Sequence, residues 1–148
     1  MAGTIQPFAS IAEAVAGIRA LTPSSAMAGA WSLPQVLDHA AQSVEYSMHG
    51  FPQLKPGLFR ATVGRAAFAV FDARGRMSHS LAEPIPGAPA LATDFAPARD
   101  RLLAALSAFD RHSAPLAPHF AYGSLDKAQY ARAHLMHLAD HWRELRRS

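Results

Sequence analysis

The chain has 148 residues, of which 50% are hydrophobic and 17% are charged, and its formal net charge at pH 7 is +3. This balance excludes an intrinsically disordered chain, and the length predicts a single domain over residues 1–148 with its own core. Cysteine is absent, so disulfides and thiolate ligands are excluded and a transition metal would need nitrogen and oxygen ligands.

Two helices are predicted in the first third of the chain. "SIAE" gives a serine N-cap at Ser10 with a glutamate three residues later, and the helix ends before Pro23. "SLPQ" repeats the capping pattern at Ser32, with a proline in the first turn, and the apolar stripe that follows stops at Gly50.

The middle of the chain combines one further helix candidate with a long connection. Residues 56–73 have a helical pattern, although their phenylalanines also fit a strand. Residues 74–95 contain three prolines and two glycines, which excludes a long regular element and predicts a crossover loop.

Helical periodicity returns in the last third, first over residues 97–112 and again after two prolines. We predict that Ser124 caps the last helix, with Asp126 in its first turn, and that this helix runs to about Arg146. Together the segments predict an all-α fold, a four-helix bundle with a long crossover and one extra helix.

The last helix concentrates histidines, because "HLMHLADH" places three of the chain's eight histidines in residues 134–141. On a helical wheel His134, His137 and His141 lie within an arc of about 60°, on the seam where a bundle helix usually carries leucine. Burying an unpaired polar group costs on the order of 2–7 kcal/mol, so these imidazoles need partners. His137 and His141, four residues apart, can reach one metal ion from consecutive turns. The alternative is that each ring binds a neighbouring side chain or carbonyl.

A third ligand would have to come from a facing helix, and His39 in "LDHAAQS" is the best candidate. On the wheel His39 lies about 120° from the centre of its apolar stripe, on the flank with Ser43 and Tyr46. That position suits either the rim of a pocket, with Tyr46 beside it, or a half-exposed histidine.

The other polar candidates are less constrained. His79 and His119 lie in predicted loops, where each could cap a pocket or have no role. Glu144, three residues after His141, could accept a hydrogen bond from a ligand or act as a weak ligand, and both it and Asp140 could equally be ordinary solvated carboxylates. His49 and His112 are expected at the surface.

Three blocks carry a resemblance to a known family: "WSLPQVLDHAAQSVEYSMHGFP", "GRMSHSLAEPIPGAPAL" and "HFAYGSLDKAQYARAHLMHLADHW". They resemble the signature blocks of a bacterial domain-of-unknown-function family (domain of unknown function 1569) in the DinB/YfiT-like superfamily of metalloenzymes. The resemblance spans about residues 8–146 and implies an up-down-down-up bundle whose metal is held by three histidines. Matched by position these are His39, His137 and His141, and His134 becomes an additional, pocket-lining histidine.

These observations lead to two functional hypotheses. The first is a divalent-metal-dependent enzyme, a thiol-dependent transferase or a hydrolase, using zinc, nickel or iron on a small-molecule substrate. The alternative is a non-catalytic binding or dimerisation module with structural histidines, and a homodimer is compatible with it. The chain has no nucleic-acid motif, membrane span or secretory signal, so we expect a cytoplasmic protein without nucleic-acid or membrane partners.

Overall fold

The computed structural model describes residues 8–146, and this part of the chain is mostly helical. The helices are α1 (Ile11–Arg19), α2 (Leu33–His49), α3 (Gly57–Phe59), α4 (Arg65–Arg74), α5 (Phe95–Arg111) and α6 (Lys127–Trp142). A π-helical turn, Arg60–Gly64, joins α3 to α4, and two short strands, β1 (Ala26–Met27) and β2 (Leu145–Arg146), form an antiparallel pair. The all-α prediction is therefore confirmed apart from this small sheet.

The predicted caps of the first two helices are present. The Ser32 side chain accepts from the backbone of Gln35 while the Gln35 side chain accepts from the backbone of Ser32, a complete capping box. At α1 the Ser10 hydroxyl accepts from the backbone of Glu13, but the Glu13 carboxylate accepts from Ala9 rather than from Ser10. Local sequence thus places both helix starts correctly.

The boundaries of α6 differ from the prediction at both ends. Asp126, not Ser124, is the N-cap: it accepts from the backbone of Gln129, whose side chain in turn accepts from the backbone of Asp126. This aspartate has the glutamine three residues later that a capping box requires. The helix ends at Trp142 rather than near Arg146, because the next residues pair with β1 in the small sheet.

The segment after α2 is helical from residue 57 to residue 74 apart from its π-helical turn, so the strand alternative is wrong. Gly64 closes that turn, and a Cβ atom built on it would overlap the backbone carbonyl oxygen of Ala121. Gly75 ends α4 in the left-handed region, at φ 67°. Residues 75–94 then cross to α5 without a helix or strand, as predicted.

Replacing Gly64 with alanine is expected to destabilise the protein by about 1–3 kcal/mol, because the new methyl group forces two backbone segments apart. A decrease in the free energy of unfolding would be informative, because replacing glycine with alanine inside a helix otherwise increases stability by up to about 1 kcal/mol. Urea unfolding measures the effect. Gly57→Ala is the matched control, because its Cβ meets only the end of the flexible Arg60 side chain, at 3.7 Å. Equal stability of the two variants would contradict the prediction.

The helices pack so that α2 lies along α5, and α1 and α6 each contact this pair. The largest fully buried side chains come from all four: Tyr130, Phe109, Ile18, Leu37 and Leu102. The packing of α2 beside α6 brings together histidines about one hundred residues apart in sequence. Within residues 8–146, no helix is both long and apolar enough to cross a bilayer.

Candidate metal centre

The three histidines predicted as metal ligands meet where α2 packs against α6. One ring nitrogen from each of His39, His137 and His141 lies within 4.8 Å of those of the other two. The Nε2 atoms of His39 and His137 are 3.1 Å apart. The described residues therefore contain a group of three imidazoles that can hold one metal ion.

A fourth histidine reaches the same point from the crossover. The Nε2 atom of His79 lies 3.2 Å from Nε2 of His141. Its ring centroid is 4.8 Å from that of His137 and 4.9 Å from that of His141. The His79 side chain also lines the cavity that opens beside the cluster.

Asp140 fixes the orientation of His79. One carboxylate oxygen lies 2.6 Å from Nδ1 of His79 and also accepts from the His79 backbone N–H at 3.2 Å. The other oxygen accepts from Arg143 at 2.6 Å. Asp140 is only 2% exposed, so the interpretation of Asp140 as a solvated carboxylate is wrong. The sequence places Asp140 directly before His141, which indicates that it lies near the site. That it contacts His79 could not be predicted, because the contact depends on the path of the crossover.

His39 is 4% exposed, which excludes the half-exposed alternative. The helical wheel places it on the flank of its apolar stripe, and Trp31 covers that flank. The indole centroid lies 4.9 Å from the His39 ring and stacks on the ring of His141 at 6.1 Å with an interplanar angle of 13°. Trp31 precedes the cap of α2, and sequence analysis did not identify it as part of the site.

Burial sets the charge state of the cluster. Burial, together with a smaller effect of neighbouring imidazoles, lowers the pKa of His39 to about 4 and that of His141 to about 3. The pKa of His137 is also held well below its usual value, chiefly by burial. Burial lowers the pKa of His79 as well, although the Asp140 carboxylate opposes this shift. At neutral pH these rings are uncharged, the state in which imidazole binds a metal.

The spacing of the nitrogen atoms fits a common ion. Ligands at 2.0–2.1 Å from a tetrahedral zinc ion are about 3.3–3.4 Å from one another, close to the two observed Nε2 contacts of 3.1 and 3.2 Å. The Nδ1 atoms of His39 and His141 are buried and have no hydrogen-bond partner within the described part of the chain. With protons on those Nδ1 atoms, Nε2 of His39 directs a lone pair at His137 and Nε2 of His141 directs one at His79, an arrangement that a bound cation would stabilise.

A cavity of about 230 Å³ opens beside the cluster. His39, His79 and His137 line it together with the aromatic rings of Phe120, Tyr122 and Tyr130. Exposed polar side chains also contribute to its lining, and they mark where it meets solvent: Lys55, Ser80 and Glu83. The cavity is large enough for a small organic molecule in contact with the histidines.

His134 and His119 line the cavity but lie outside the group of three. Nε2 of His134 is 3.0 Å from the hydroxyl of Ser47, which itself donates to a backbone carbonyl. Nδ1 of His119 accepts from the backbone N–H groups of Ala121 and Tyr122, both at 3.1 Å. Each ring thus has a protein partner and also a place in the pocket wall.

The remaining candidates are not brought to the cluster. The Glu144 carboxylate packs over Gly29, and within residues 8–146 it makes no hydrogen bond to a histidine. Tyr46 packs against Phe51, with ring centroids 5.6 Å apart, and is not among the residues that line the cavity in the described structure. His49 is exposed as expected, whereas His112 is half-buried.

Comparison with known proteins gives one match. The family described as "Protein of unknown function (DUF1569)" matches residues 6–148. No curated protein and no solved structure matches the chain.

Proposed function

Because the chain belongs to the DUF1569 family of proteins of unknown function, we propose its function from its own site: a divalent-metal-dependent enzyme that acts on a small molecule. The observation that carries the proposal is the convergence of three imidazole nitrogens, from α2 and α6, at the wall of a cavity. His39, His137 and His141 would hold the ion. Three protein ligands leave a coordination position for substrate or water, as in catalytic zinc sites.

The bound ion would act as a Lewis acid, polarising a carbonyl group or activating water or a thiol. The chain's own residues bind and orient the substrate. The aromatic side chains of Phe120, Tyr122 and Tyr130 exclude water from the cavity, and Lys55 offers a positive charge to an acidic substrate group. Thiol-dependent transfer and hydrolysis are the two reaction classes that this arrangement supports. Imidazole ligands suit zinc, nickel and iron alike.

The fold belongs to the same proposal. We propose that α1, α2, α5 and α6 form the up-down-down-up bundle of the DinB-like superfamily within a single domain, and that α3 and α4 are the extra helix. The packing of α2 along α5 supports this topology, since the crossover between them allows two successive bundle helices to run parallel.

The purified protein is expected to carry about one divalent ion per chain, measured by elemental analysis. After removal of the ion with a chelator, adding zinc or nickel should raise the melting temperature. Free metal at one hundred times its Kd adds about 2.7 kcal/mol of stability, which corresponds to roughly 5–10 °C for a chain of this size. A metal-free protein whose melting temperature does not respond to zinc, nickel, iron or manganese would exclude the proposal.

The second candidate is the non-catalytic module with structural histidines. Direct contacts favour it: Nε2 of His39 lies within hydrogen-bond distance of His137, and His134 is paired with Ser47. In that case the imidazoles partner one another, and added metal leaves the stability unchanged.

A further inference from the structure

The crossover between α4 and α5 carries one residue into the cluster, and that residue is His79. Resting on the proposed metal site, we infer that His79 is a fourth protein ligand of the same ion, so that the ion ties the crossover segment to α6. Substrate or water would then enter as a fifth ligand, a coordination number to which catalytic zinc sites can expand. The group of three imidazoles whose nitrogens lie within 4.8 Å of one another does not include His79.

The position of the His79 ring supports a ligand role. Its Nε2 atom is the atom directed at the cluster, 3.2 Å from Nε2 of His141. The ring packs against both α6 ligands, with its centroid less than 5 Å from each of theirs. The side chain is 24% exposed and lines the cavity, as His39 and His137 do.

The Asp140 carboxylate determines which nitrogen of His79 is free. It lies 2.6 Å from Nδ1 and is almost completely buried; the angle of this contact falls outside that of a hydrogen bond, but the negative charge favours a proton on Nδ1 and leaves the lone pair on Nε2. A carboxylate behind a ligating imidazole is a frequent arrangement in metal sites, where it orients the ring and increases its basicity. Asp140 directly precedes His141 on α6. One turn of this helix therefore supplies one ligand, His141, and the carboxylate that orients a second ligand, His79.

The alternative is a direct hydrogen bond between the two rings. With its proton on Nδ1, His79 could only accept at Nε2, so His141 would have to donate from its own Nε2. The buried Nδ1 of His141 has no partner within residues 8–146 in either arrangement, so this atom does not distinguish them. With a shared ion both Nε2 atoms direct lone pairs at one point, and the number of bound imidazoles separates the two arrangements.

The test uses the full chain loaded with cobalt(II) or zinc, and counts imidazole ligands by X-ray absorption and by the cobalt visible spectrum. The wild-type protein is expected to show four imidazoles. His79→Gln should show three and bind zinc at least tenfold more weakly. Asp140→Asn should alter the cobalt spectrum and weaken binding about 10- to 100-fold through the misplaced ring. His49→Gln, which changes an exposed histidine at the end of α2, is the matched control and should change neither quantity.

Hydrogen exchange supplies a second measurement that does not depend on the ligand count. Metal should slow exchange at residues 78–83 of the crossover in the wild-type protein, and His79→Gln should abolish this protection while keeping its melting temperature in the metal-free state. A wild-type protein that binds metal through three imidazoles, with the same spectrum and exchange as His79→Gln, would overturn the inference and leave the proposed function standing. Failure of the wild-type protein to bind any of the metals would overturn both.

Discussion

Replacing His137 with glutamine is expected to weaken zinc binding by about 100-fold or more, because even changes to the groups that support a ligand cost about 10- to 100-fold. The His137 ring packs against all three other rings of the cluster. Its centroid lies 5.0 Å from that of His39, 4.8 Å from that of His79 and 4.9 Å from that of His141. Removing its nitrogen from the coordination sphere leaves α6 with a single predicted ligand and destroys the pair on consecutive turns.

The fold should survive this change. Glutamine is a good helix former, retains much of the volume of histidine and can still form a hydrogen bond at the cavity wall. Metal titration by calorimetry and thermal unfolding with and without chelator separate the two effects. The expected result is a similar melting temperature in chelator and the loss of metal-dependent stabilisation.

His49→Gln is the control for this experiment too, since it makes the same chemical change at an exposed helix end. The non-catalytic alternative predicts a different outcome for His137→Gln. The variant would then lose stability in chelator, because the contact with His39 is broken, and zinc would have no effect on either protein. Such a result would contradict the metal-dependent function.

The parts of the fold and site that the sequence predicts are those encoded by local spacing. Both N-terminal capping patterns lie within four residues of the helix they start, and the four-residue spacing of His137 and His141 places them on one helical face without further information. At the start of α6 both Ser124 and Asp126 are residue types that cap helices. Asp126 is the N-cap, and it is the residue that forms a complete capping box.

The parts that the sequence left open, such as His79, or did not identify, such as Trp31, depend on long-range packing. His79 enters the cluster because the crossover folds back so that a buried carboxylate sixty-one residues later meets its ring and backbone. Trp31 covers His39 and His141 from outside any helix. Neither contact is marked by a periodic pattern in the sequence. A helical wheel of α2 or α6 shows which residues share a face of the helix, but not which distant residues pack against that face.

The second large effect is expected at Arg101, which joins α5 to α2. Its guanidinium donates to Asp38 at 2.8 Å and to both oxygens of Glu45, at 3.0 and 2.6 Å. The other oxygen of Asp38 accepts from the backbone N–H of Ala92 at 2.9 Å. Asp38 is only 3% exposed and directly precedes His39, so the ion pair holds α5 and the last part of the crossover close to the site.

Arg101→Met is expected to cost about 3 kcal/mol, because it removes the cation of a buried carboxylate and leaves that charge without compensation. The melting temperature in chelator should fall by roughly 10 °C for a chain of this length. Glu45→Gln is the matched control. The Glu45 carboxylate is 30% exposed, so its salt bridge with Arg101 should contribute no more than about 1 kcal/mol to stability.

A double variant separates the electrostatic cause from lost packing. Adding Asp38→Asn to Arg101→Met should restore about 1–2 kcal/mol, since a neutral amide can still accept from Ala92 and needs no counter-charge. If the double variant is less stable than Arg101→Met alone, the arginine stabilises the interface through the packing of its side chain. If Glu45→Gln costs as much as Arg101→Met, the exposed carboxylate carries the interaction and Asp38 is not the residue that ties the crossover to α2.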